Sequence, residues 1–136
     1  MKSFTKLSIV VMSGALAWGL YQQNFRAHEN DMESLHRKVE IHRMDCTKTE
    51  GLADHTWLAC RYPDSDDRGS VWVLHEDDQG EVWVSRNGPA MRVVDRYQKL
   101  SDDDRMGAPR VHTASAEENM EHGFVHLPSA PWDQLN

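Results

Sequence analysis

The spacing of apolar and polar positions changes several times along this chain, and each change marks an element. Leu7 to Tyr21 run for 15 residues without a charge, behind Lys2 and Lys6. Tyr21 to Asn30 is polar and reads as a tether. Asn30 or Asp31 is placed to cap a short helix ending at Arg37, with Met32 and Leu35 as its apolar face. From Lys38 to Arg43 apolar and polar residues alternate through Val39 and Ile41, as in a half-buried strand. A polar loop containing Gly51 leads to a second strand, Thr56 to Tyr62, ended by Pro63.

Ser70–His75 and Glu81–Ser85 are β-branched and aromatic runs around the acidic turn Glu76–Gly80, which predicts a β-hairpin. Asn87-Gly88-Pro89 reads as another turn, and Ala90 to Tyr97 as a returning strand. After Ser101 the apolar residues scatter. A charge run (Asp102-Asp103-Asp104-Arg105) precedes a break at Gly107-Ala108-Pro109, and a short helix fits Ala114 to His122.

The fold expected from this pattern is small α+β, mostly β. It has an antiparallel, hairpin-based sheet of four to five strands, a short N-terminal helix and an irregular C-terminal tail. The segments are 1–21 (signal peptide or signal-anchor), 22–37 (tether and short helix), 38–100 (disulfide-stapled β-rich domain) and 101–136 (acidic, partly disordered tail). Its core candidates are Val39, Ile41, Trp57, Leu58, Trp72, Leu74, Val82, Val84, Val93 and Tyr97.

Composition narrows the function classes. The chain has 136 residues, enough for one domain. From His28 onward there are 12 basic and 22 acidic residues, a formal charge of −10. Nucleic-acid binding needs Lys and Arg to displace counterions from phosphate, so this body is a poor nucleic-acid binder. The same charge disfavours docking on anionic lipid.

The N-terminal run is short against the roughly 17–25 apolar residues that span a bilayer. It suits the h-region of a signal peptide, with Ala15-Leu16-Ala17 as the small-residue cleavage pattern. Cleavage and retention as an anchor both place the body outside the cytoplasm, with the periplasm as the default. The membrane is then met only through residues 7–21, if they are retained. Cys46 and Cys60 are the only cysteines and fit one disulfide of such a compartment, closing a loop of about 15 residues.

Candidate chemistry is sparse. His122 and His126 have the H-x₃-H spacing that puts two rings on one helical face, but Gly123 and Pro128 argue against a helix there. They are candidate metal ligands only in combination with a third group. Asp64 to Gly69 starts like a calcium loop and fails at Arg68 and His75. No nucleophile elbow, zincin, P-loop or dinucleotide motif is present, so a non-enzymatic protein without a cofactor is expected.

Tryptophan carries more information. Period-2 spacing puts Trp72 opposite in phase to Val71 and Val73, and Trp83 opposite in phase to Val82 and Val84. The hairpin is therefore either covered on both faces or exposes an aromatic face. In the second case Trp72, Trp83, Arg86 and Arg92 form a partner-contact patch. The function expected is an exported envelope accessory protein acting by protein–protein contact, as an assembly or inhibitor subunit. The alternative is a periplasmic metal- or small-ligand-binding protein.

Overall fold

Helix α1, Ala27–Glu40, opens the part of the chain that the computed structural model describes, residues 26–40 and 42–135. The expected export segment, residues 1–21, and the core candidate Ile41 lie outside the described residues. Met32, Leu35, His36 and Glu40 are buried at helical spacing, with Val39 packed beside them. Lys38 to Glu40 therefore continue the helix, and the strand expected over Lys38–Arg43 is not there. Two of those four buried positions are polar, which left too thin an apolar stripe for the helix to be read at its true length.

Five strands follow in sheet order β1-β2-β3-β4-β5: Asp45–Leu52, His55–Arg61, Gly69–Asp77, Gly80–Ser85 and Val111–His112. The first four pair antiparallel, whereas β5 runs parallel to β4 through Trp83↔Val111 and Val84↔His112. The sheet is thus mixed rather than purely antiparallel. The segment expected as a polar loop around Gly51 is most of β1. The β3–β4 hairpin turns through Asp78 and Gln79, and Asp77 Oδ1 accepts the Gln79 N–H at 2.8 Å.

The β1–β2 turn places Ala53 at φ 51° and Asp54 at φ 62°, both in the left-handed region. Two such residues twist the strands correctly for a tight hairpin, but alanine is strained there. Ala53→Gly is expected to raise stability by about 0.5–1 kcal/mol in denaturant titration. An unchanged midpoint would mean that the turn relaxes in solution.

A second correction concerns Ala90 to Tyr97, which belong to helix α2, Gly88–Gln98. Asn87 caps it by accepting the Ala90 N–H, and Pro89 sits in the first turn, where its missing N–H costs nothing. The same Asn87 amide accepts from Val71 N and donates to the Gly69 carbonyl, fastening the helix start to β3. Ala90, Val93 and Val94 are buried at i, i+3 and i+4.

In the tail the short helix expected over Ala114 to His122 is present as α4 (Ala116–Glu121), and the segment also carries a one-turn helix α3 (Asp102–Arg105), strand β5 and 3₁₀ turns at Phe124–His126 and Trp132–Gln134. Ser115 and Glu118 form a reciprocal capping box at the start of α4. Phe124 and Leu135 are each 1% exposed.

The sheet consequently has a core on both faces. Trp72, Trp83, Leu58, Cys46 and Cys60 pack beneath α1 and α2. Trp57, Ala59, Val71, Val73 and Val84 pack beneath Phe124 and Leu135 of the tail. The alternation in β3 and β4 thus feeds two cores and no exposed aromatic face. Among the described residues no helix is long and apolar enough to cross a membrane.

Candidate functional site

Cys46 and Cys60 are direct register partners on β1 and β2 and are joined by a disulfide. His36, on the buried face of α1, reaches close to them. A carbonyl can only accept, so His36 Nδ1 is the protonated nitrogen that donates to Met32 O at 2.7 Å. Nε2 then accepts from the Ser70 hydroxyl at 2.7 Å, and that hydroxyl accepts from Trp72 Nε1 at 2.8 Å. A Ser–His pair at this distance has the geometry of a nucleophile and its base. Here Ser70 is 1% and His36 0% exposed, and both side chains are saturated by interior partners. The pair is structural.

Burial holds the His36 pKa below its ordinary value, outweighing the hydrogen bond to Met32 and the nearby Glu40 and Glu33. Protonation is therefore easier in the unfolded chain. The stability contributed by neutral His36 is complete above about pH 6.5 and is lost as pH falls through the lowered folded value. Chemical denaturation from pH 8 downward is expected to show this loss, and His36→Gln to flatten it. An equally steep curve in the variant would assign the loss to the carboxylates.

The functional candidate lies on the opposite face, where the tail crosses the end of the β3–β4 hairpin. His75 and Asp77 alternate onto one face of β3, with Val82 paired across from His75. Helix α4 ends at Glu121, His122 is its C-cap, and Gly123 turns the chain sharply at φ 73°. That turn brings the His122 ring to 4.4 Å from the His75 ring, centroid to centroid. Phe124 lies under both, at 5.4 Å from His75 and 5.6 Å from His122. These residues, with Val82, Val84 and Val111, line a cleft of about 280 Å³.

An ion pair and a side-chain hydrogen bond complete the walls. Arg110 forks onto Asp77 at 3.0 and 2.6 Å, and His112 meets Glu118 at 2.9 Å. The Arg110 hydrogen bond, helped by the Gln79 N–H, holds the Asp77 carboxyl down to a pKa of about 2. Glu118 is lowered by the Ser115 N–H first and by His112 second. Both acids are thus committed as anions to local partners, leaving His75 and His122 as the uncommitted donors of the cleft.

Two larger depressions, about 640 and 780 Å³, follow the Asp64–Asp67 loop and are lined without histidine or cysteine. Among the described residues, the only group of three or more His, Cys, Asp or Glu donor atoms within 4.8 Å of one another is His36, Cys46 and Cys60. The cleft therefore presents two adjacent imidazoles without a cluster of three such donors.

Each residue singled out from the sequence now has a place. His122 lines the cleft, but its partner is His75 on β3. His126 is exposed in the following 3₁₀ turn and does not line it, because Gly123 breaks the helix that would have aligned the two. Trp72 and Trp83 are 0% and 2% exposed, so the contact patch expected around them has no indole at the surface. Arg86 is turned onto the tail, donating to the carbonyls of Phe124 and Leu127 at 3.2 and 3.1 Å and of Pro128 at 3.4 Å. Arg92 is exposed and faces Glu40 at 3.5 Å. His75, Phe124, His112 and Glu118 were not singled out as a group, because only the chain's path through the fold brings them together.

The class defined by this geometry is an α+β domain with a two-sided sheet and a histidine-lined cleft between sheet and tail. Comparison with protein families, with curated proteins and with solved structures gives no match to this chain.

Proposed function

We propose that this chain is a non-enzymatic binding protein of an extracytoplasmic compartment, taking a divalent transition-metal ion in the cleft between β3 and the tail. The observation that carries this reading is the approach of His75 and His122 to 4.4 Å from two separate elements. Neutral imidazole is a strong donor to Zn²⁺ and Cu²⁺, and two rings with water in the remaining positions make an exchangeable site. Export is supported by the basic and then uncharged N-terminal sequence, and the Cys46–Cys60 disulfide agrees with an oxidising compartment. The protein-contact reading keeps the same support for export, but its aromatic anchors are interior.

Zn²⁺ or Cu²⁺ is expected to raise the melting temperature. A free concentration of 100 times Kd corresponds to about 2.7 kcal/mol of added stability. His75→Ala and His122→Ala should each abolish the shift, and His126→Ala should leave it intact. No shift with any transition metal removes the proposal. A shift that survives His75→Ala places the ion elsewhere.

A further inference from the structure

Beneath α1, on the face of the sheet away from the cleft, lies a second donor set. A ring nitrogen of His36 and the sulfurs of Cys46 and Cys60 lie within 4.8 Å of one another, and all three residues are buried. Donor atoms around a tetrahedral zinc ion with two sulfurs and one nitrogen stand about 3.5–3.8 Å apart, given bonds of about 2.3 and 2.0 Å. The histidine nitrogen therefore needs to move by only about an ångström, while the two sulfurs, once reduced, part from bonding distance by nearly 2 Å, about one ångström each. Cys46 and Cys60 stay opposite each other without their bond, because the ladder on both sides of them sets the register of β1 and β2.

The histidine is prepared in the way metal-binding histidines usually are. Its Nδ1–H is held by a backbone carbonyl, Met32 O, which fixes the tautomer and leaves the Nε2 lone pair as the donor. Ser70 now fills that lone pair, and it retains the Trp72 N–H as a partner if it turns away.

We infer that the reduced form of this protein binds one thiophilic metal ion, Zn²⁺ or Cu⁺, through Cys46, Cys60 and His36, so that disulfide and metal are alternative closures of the same strand pair. A dithiol reductant supplies two electrons and two protons. The S–S bond opens to two thiols, and the reductant becomes a disulfide. Metal binding then releases the two thiol protons as two sulfur–metal bonds and one nitrogen–metal bond form. The site is open to the chain before its disulfide forms and after any later reduction. It is independent of the cleft.

The test uses the full chain carrying His75→Ala and His122→Ala, so that the cleft takes no part. The protein is reduced with a dithiol, desalted and titrated with Co²⁺ without oxygen. One Co²⁺ per chain is expected, with thiolate-to-cobalt charge transfer. The oxidised protein should show neither. Adding His36→Gln should weaken binding at least tenfold. A second readout needs no change at His36: in the cadmium-loaded, ring-nitrogen-labelled protein, cadmium should couple to the His36 imidazole. Absence of the thiolate band or of that coupling overturns the inference. So does unchanged Co²⁺ affinity in the His36→Gln chain, which is what an unfolded dithiol chain would give.

Discussion

Gly69→Ala is expected to cost about 4 kcal/mol or more, enough to leave much of the chain unfolded at ambient temperature. Gly69 opens β3 at φ +143°, a conformation that side chains rarely adopt. A Cβ built there would stand 1.9 Å from the Cys60 carbonyl oxygen and 2.9 Å from its carbon. Both are backbone atoms of the neighbouring strand, so no rotamer change relieves the overlap, and β2 and β3 must separate where Arg61 faces Gly69. The Gly69 carbonyl also accepts from the Asn87 cap, so the start of α2 is disturbed with it. Gly88→Ala is the control, since nothing lies within 4 Å of that position and its φ is ordinary. Its effect is expected to stay within about 0.5 kcal/mol. Equal urea midpoints for the two variants would show that β2 and β3 are not held as closely as the geometry implies.

Arg86→Ala is expected to lower stability by about 2–3 kcal/mol and to do so unevenly. The guanidinium is half-buried just past the end of β4, where desolvation lowers its pKa, and it donates to three carbonyls of the tail. Arg61 acts in the same way farther along, donating to the carbonyls of Trp132 and Leu135 and lying over the Trp132 ring at 5.3 Å. Removing Arg86 leaves the Phe124, Leu127 and Pro128 carbonyls without this donor, and so loosens the wall that carries His122. Hydrogen exchange should rise through the turns at 124–128 while the amides of β2 and β3 stay protected. Affinity for Zn²⁺ in the cleft should fall in the same variant. Uniform loss of protection across the whole sheet would mean that the tail and sheet unfold as one unit.

The β3–β4 hairpin was legible because Val71 to Leu74 and Val82 to Val84 are β-branched, aromatic or aliphatic around a polar turn. The disulfide followed from the even cysteine number together with the expectation of export. Other elements were hidden by local chemistry. Val93 and Val94 favour strand, yet with Ala90 and Tyr97 they make a helical face, and Asn87-Gly88-Pro89 serves as well for a helix start as for a turn. Strand β1 is mostly polar on an edge of the sheet, and its turn is made by Ala53 and Asp54 rather than by the usual asparagine and glycine. The tail's few apolar side chains read as disorder because what fastens them is a pair of arginines more than 35 residues away in sequence. The cleft was illegible for the same reason. His75 lies two residues before the end of β3 and His122 caps α4, and no spacing rule relates them.

The two-sided sheet has a consequence for how the chain matures. Strands β1 to β4 are complete at Ser85, but the residues that cover Trp57, Val71 and Val73 extend to Leu135. A chain synthesised from its N-terminus therefore holds a ready-made sheet with this apolar side bare until residues 124–135 follow. During that interval the sheet is an invitation to chaperones and to other copies of itself. Truncation before Phe124 would make that interval permanent.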